Sequence, residues 1–132
     1  MSIAAVSKKD GFPVAVFSNS NPQVDYAGIG VDVLSFKPGN GYQIMSGTSM
    51  ASPHVAGLIA CLMTDNKIPN VGYKTDASLR KMLNESYVVD VEATGIDNAT
   101  GVGFLTGLSK GAFLEVLGKA KAKATLIPAR VS

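Results

Sequence analysis

In this chain of 132 residues the side chains placed to do covalent chemistry gather between positions 46 and 61. Gly47, Thr48 and Ser49 stand just before a long apolar stretch that also holds His54 and Cys61. A hydroxyl residue that follows a glycine and opens a helix suits acyl transfer. The glycine lets a substrate backbone approach closely. The helix start offers free N–H groups and a partial positive charge, which favour an anion forming beside Ser49. The same spacing fits a plainer role, in which Thr48 or Ser49 only caps the helix. His54 is the single histidine of the chain, so every imidazole role falls to it. Five residues beyond Ser49 on one helix, it is turned by about 140° round the axis and points away from the serine.

Composition narrows the remaining chemistry. One cysteine excludes an internal disulfide framework, and one cysteine with one histidine excludes a zinc site built mainly from those ligands. Acidic residues show no loop spacing that would hold calcium, and Asp25 alone is not enough. The net charge of +2 is too small a surplus to argue for nucleic acid or an anionic membrane. With 46% hydrophobic and 17% charged residues, the composition forms a core. The first ten residues lack the basic start and apolar length of a signal peptide, and the compartment stays open. The longest apolar run, 55–63, is far below the roughly 20 residues of a spanning helix.

The elements that must position these residues differ between the two halves. Before residue 47, short apolar runs at 3–6, 13–17, 24–27, 31–36 and 42–45 read as strands between turn clusters. Asn40-Gly41 is a hairpin-turn dipeptide, so 31–36 and 42–45 are expected to pair. After it, residues 48–65 predict a helix with Pro53 near its start, where the missing N–H would have no partner. Its apolar residues lie nearly all round, which predicts a buried helix needing neighbours on every side. Cys61 is then a packing residue. Further helices are expected over 75–85 and from 108 to about 124, with extended pieces at 87–91 and 104–105.

The segment Gly47-Thr48-Ser49-Met50-Ala51-Ser52-Pro53-His54-Val55-Ala56-Gly57 closely resembles the nucleophilic-serine motif of the subtilisin-like serine proteases. The resemblance implies an α/β fold, the C-terminal portion of a doubly wound subtilisin-like domain. It implies Ser49 as the nucleophile and its own N–H as an oxyanion donor. Thr48 and Met50 are implied as active-site support, and Ser46 and Gly47 as substrate-binding residues. Weaker likenesses extend it: Phe17-Ser18-Asn19, Val24-Asp25-Tyr26-Ala27, and Gly101-Val102-Gly103-Phe104-Leu105 before the last helix. Gly28-Ile29-Gly30 stands where the family has Ala-Pro-Gly, so the proline is replaced. The match implies a partial peptidase domain over 1–117 and a basic extension over 118–132. The implied partner is a polypeptide substrate. No cofactor is expected, although calcium is common in the family.

The family's Asp-[Ser/Thr]-Gly and His-Gly-Thr motifs, which carry its catalytic aspartate and histidine, do not occur in this sequence, nor is its oxyanion asparagine matched. In that family the histidine equivalent to His54 belongs to the serine helix and is structural. In subtilisin itself, loss of an oxyanion donor costs about 10²–10³ in turnover and loss of the base about 10⁶. The chain is therefore expected to be inert alone, with an upstream segment or separate chain supplying the missing groups. The alternative is a non-catalytic remnant that serves as a binding or assembly module. Ser78-Leu79-Arg80-Lys81 spells Ser-x-x-Lys but lacks companion motifs. Asn84-Glu85-Ser86 and Asn98-Ala99-Thr100 are glycosylation sequons that matter only in a secreted product.

Overall fold

A computed structural model describes residues 1–64 and 75–126, with side chains described as far as Lys119. Four strands form one sheet: β1 (Ile3–Val6), β2 (Tyr26–Ile29), then, in this numbering, β5 (Val88–Val89) and β6 (Phe104–Leu105). Their spatial order is β1-β2-β6-β5, parallel except for the last pair. β3 (Val33–Phe36) and β4 (Tyr42–Met45) make a separate antiparallel hairpin. The helices are α1 (Thr48–Thr64), α2 (Asp76–Ser86) and α3 (Lys110–Leu126). The expected α/β class is observed, and α3 runs without a break past residue 117.

Ala4, Ala5 and Val6 are all buried, as a parallel strand covered on both faces must be. One core gathers Val55 and Leu62 of α1 and Leu83 of α2 against Tyr26, Val88 and Leu105. The other gathers Val6, Ala27 and Phe104, with Phe12, Val14 and Phe113 packed on them. Phe12 stacks on Phe104 with centroids 4.6 Å apart, so the loop after β1 and the start of α3 close this face together. At Gly101 (φ +65°) a Cβ would strike the Asp25 carbonyl, which leaves that position to glycine.

Several sequence expectations are corrected here. Residues 13–17 form no strand; Val14 makes only a single bridge to Val6. The second strand begins at Tyr26 and runs through Gly28, two residues later than expected. The hairpin pairs as expected across residues 37–41, with positive φ at Gly39, Asn40 and Gly41, but its first strand begins at Val33, two residues later than expected. Pro53 lies inside α1, at its sixth residue, so the Ser49 carbonyl lacks the i+4 donor a helix interior normally supplies. Finally, α1 is buried along one face only, through Ala51, Val55 and Leu62. Pro53, Ala56, Gly57, Ala60 and Cys61 are exposed. Cys61 is therefore no core residue of this chain.

Helix α2 is fastened by charge as well as by its core face. Thr75 caps it, its hydroxyl accepting from the Ser78 N–H (3.2 Å), and Ser78 Oγ donates to the Thr75 carbonyl. The Ser-x-x-Lys serine is thus occupied in capping. Arg80 pairs with Asp25 at the foot of β2 and with Asp76 one turn back. Burial pushes the Asp25 carboxyl up, but the Arg80 guanidinium and the Ser2 N–H outweigh it and hold the group below its ordinary 3.8. A carboxylate lowered on folding contributes stability above its ordinary value, and loses it as pH falls through the folded value. Asp25→Asn should lower stability at pH 7 by on the order of 1 kcal/mol for a partly exposed pair. It should also flatten the loss of stability below about pH 4, as measured by urea unfolding across pH. An unchanged acid limb would contradict this fastening role.

Candidate active site

The serine turn is built on the C-terminal end of β2. The Gly47 N–H donates to the Gly30 carbonyl (2.7 Å), and the Gly47 carbonyl accepts from Met50 and Ala51 at 3.0 and 3.3 Å. Gly47 is therefore the N-cap of α1. Neither Thr48 nor Ser49 contributes a capping hydrogen bond through its hydroxyl among the described residues. Ser46 Oγ accepts from the Asp32 N–H (2.9 Å), which holds together the two ends of the hairpin that carries the chain into the turn.

This turn can form only because β2 lacks side chains where α1 lies on it. A Cβ on Gly28 would sit 2.8 Å from Val55 Cγ2 and 3.1 Å from the Ala51 carbonyl. One on Gly30 would sit 2.7 Å from both the Gly47 carbonyl and Ala5 Cβ. Real Cβ atoms do not approach so closely, so α1 rests against bare backbone. The Gly-x-Gly spacing carried this signal, although its meaning depends on a helix 20 residues away.

Ser49 is exposed on the first turn of α1. Among the described residues neither its hydroxyl nor its N–H has a hydrogen-bond partner. Both face the positive end of the helix dipole, where an anion is favoured. A cleft of about 400 Å³ lies beside it, lined by Val33, Gln43, Met45, Met50 and His54 among others. The Met50 sulfur lies 3.4 Å from where a Cβ on Gly47 would be, so the thioether covers the turn next to the serine.

His54 borders the same cleft but makes no hydrogen bond to Ser49. Its Nδ1 lies 2.9 Å from the Ile29 carbonyl and 3.2 Å from the Met50 carbonyl. Carbonyls only accept, so Nδ1 carries the proton and donates to both. The imidazole thus ties the first turn of α1 to the end of β2. Ser49, Thr48, Met50, Ser46 and Gly47 lie within one turn of chain, as their adjacency requires. No group of three or more His, Cys, Asp or Glu side chains that could hold a metal ion occurs among the described residues. The sequon residue Asn84 is engaged as well, its Oδ1 accepting from the buried Tyr26 hydroxyl (2.7 Å).

The chain belongs to the subtilase family, whose sequence profile it matches over residues 1–103. It is 51% identical over 67 residues to Subtilisin-like protease 5 of Trichophyton tonsurans, a match covering 51% of this chain and 16% of that protein. Subtilisin-like protease 7 of Arthroderma gypseum is 51% identical over 65 residues, again 16% of its length. Among solved structures, fervidolysin from Fervidobacterium pennivorans, a keratinolytic enzyme related to subtilisin, superposes with a TM-score of 0.64 at 28% identity. That alignment covers 80% of this chain and 18% of fervidolysin. Sphericase gives a TM-score of 0.63 at 28% identity, over 79% of this chain and 39% of its own. The matches therefore span a minor part of each relative.

The tautomer of His54 is directly measurable. In the folded chain at pH 8 its ¹⁵N shifts should report a proton on Nδ1 and none on Nε2. His54→Asn, which keeps a donor near the same place, should retain more stability than His54→Leu, which should lose about 1 kcal/mol. A neutral ring with its proton on Nε2 and none on Nδ1 would contradict the tie to β2.

Proposed function

We propose that the chain supplies the nucleophile of a subtilisin-like serine endopeptidase, with Ser49 forming the acyl-enzyme on a polypeptide substrate. The observation that carries this reading is the Ser49 N–H and hydroxyl, both without partners among the described residues, at the start of α1 beside an open cleft. In this reading Ser49 Oγ attacks the scissile carbonyl carbon while a base removes its proton. The carbonyl oxygen becomes an oxyanion, received by the Ser49 N–H and the field of the helix start. The tetrahedral centre then collapses, the C–N bond breaks, and the proton passes to the departing amine. Water hydrolyses the remaining ester by the same steps. Gly47 and Ser46 carry backbone for the substrate to lie against, while Thr48 and Met50 flank the nucleophile.

The base and the second oxyanion donor come, on this reading, from an upstream segment or a separate chain. His54, five residues further along the same helix, is unsuited to the role, because it makes no hydrogen bond to Ser49 and its ring is anchored through Nδ1 to the Ile29 and Met50 carbonyls. Residues 1–117 make up the partial peptidase unit and 118–132 a basic extension, of which 127–132 lie outside the described residues. No cofactor, nucleic acid or membrane enters the reading. The exposed face of α1 is the natural site for the completing segment, since a helix of this composition is ordinarily covered all round.

The isolated chain should show no turnover of a peptide ester or amide, and no labelling by a fluorophosphonate probe. Labelling at Ser49 should appear when a segment bearing the missing aspartate and histidine is added, and should vanish in Ser49→Ala. Turnover by the isolated chain that depends on Ser49 would sink the incomplete-unit reading. Silence in a verified complex would favour a non-catalytic module. In an active complex, oxidation of Met50 to the sulfoxide adds a polar oxygen beside the nucleophile and should reduce turnover by about tenfold or more, about 1.4 kcal/mol. Full activity after mass-spectrometric proof of oxidation would count against that placement.

A further inference from the structure

One face of the hairpin carries four large apolar side chains that lie uncovered. The register sets Leu34 opposite Ile44 and Phe36 opposite Tyr42. Residues two apart on a strand share a face, so the four form one patch. They are 63%, 65%, 76% and 64% exposed in that order, and the Phe36 and Tyr42 rings lie 5.1 Å apart. An aromatic side chain presents about 150–250 Å², so the exposed parts of the four amount to about 500 Å². That is at the upper end of the largest apolar patch on an ordinary monomer. A two-stranded ribbon is also only marginally stable without a second layer.

We propose that this face is a twofold self-association surface, occupied by the same hairpin of a second copy of the chain. Area and charge both favour a second copy. Two copies would together bury about 1,000 Å², the threshold for a specific though weak interface. Lys37 is the only charged residue between Val33 and Met45, so little like-charge repulsion opposes the contact. In a twofold arrangement the aromatic pair of one copy lies against the aliphatic pair of the other, an isologous contact. The two ribbons then stack about 10 Å apart, as packed sheets do. Leu34 and Phe36 also reach the rim of the cleft beside Ser49, so the contact narrows the approach to the serine. The proposal does not depend on Ser49 being catalytic.

Sedimentation velocity of the full chain, from about 5 to about 200 μM, tests this, since so small an interface implies a micromolar Kd. The wild-type chain should pass from monomer to dimer over that range, and added salt should not weaken the dimer. A Phe36→Thr/Ile44→Thr variant should stay monomeric with an unchanged circular dichroism spectrum, because both positions are exposed and β-branched residues suit a strand. Tyr42→Lys, which brings like charges together, should do the same. Ala60→Gln, on the exposed face of α1, should leave the dimer intact. A wild-type chain that is monomeric throughout would overturn the proposal. So would a dimer that survives the hairpin variants, or one that Ala60→Gln abolishes.

Discussion

The position of Ser49 depends on the close approach of α1 to the backbone of β2. Gly28 and Gly30 remove the side chains that would hold the helix off, and the space they leave is filled by Val55, Ala51 and the Gly47 carbonyl. Three polar links then fix the turn: Gly47 N–H to the Gly30 carbonyl, His54 Nδ1–H to Ile29, and Asp32 N–H to Ser46 Oγ. Each uses a backbone group at or just beyond the end of β2, where a parallel strand would otherwise leave it for water. The hairpin hangs from the same junction, and the cleft beside the serine lies between the two.

This arrangement accounts for an exposed serine hydroxyl at a helix start. Because Gly47 serves as N-cap with its own carbonyl, the Ser49 hydroxyl is not spent on capping. The backbone N–H of Ser49 keeps its hydrogen-bonding capacity and the field of the helix. Such a turn favours an oxyanion beside Ser49 but does not deprotonate it. The one imidazole of the chain is anchored to β2 and Met50 and makes no hydrogen bond to Ser49, so the proposed reading assigns the base to another segment. On the proposed reading the chain carries half of a catalytic apparatus: electrostatic stabilisation and nucleophile, without the base.

How much of this was legible in the sequence varied with how local the determining contacts are. The hairpin and the α2 helix rest on neighbouring residues, and the patterns over 31–45 and 75–85 predict both, with β3 starting two residues later and α2 ending one residue later. Val24 and Asp25 look strand-like, yet β2 begins at Tyr26, and the Asp25 carbonyl accepts from the distant Val102 N–H beside Gly101. Gly28 lies in β2 and Gly30 just beyond its end, and their purpose is not local, because the helix that needs them comes about 20 residues later. The helix begins at Thr48 as expected, but that makes Pro53 its sixth residue, past the first turn where a missing N–H is harmless. The apolar circumference of α1 predicts burial all round, yet among the described residues its buried positions, Ala51, Val55 and Leu62, lie on one side.

The central claim is that bare backbone at the end of β2 sets the serine turn, and Gly30→Ala tests it most directly. Overpacking of this kind costs about 1–3 kcal/mol, and the added methyl would strike the Gly47 carbonyl itself. Hydrogen exchange of the folded variant should show lost protection at Gly47, Met50 and Ala51, with protection in β1 retained. Unchanged exchange at those three amides, with unchanged urea stability, would contradict the claim.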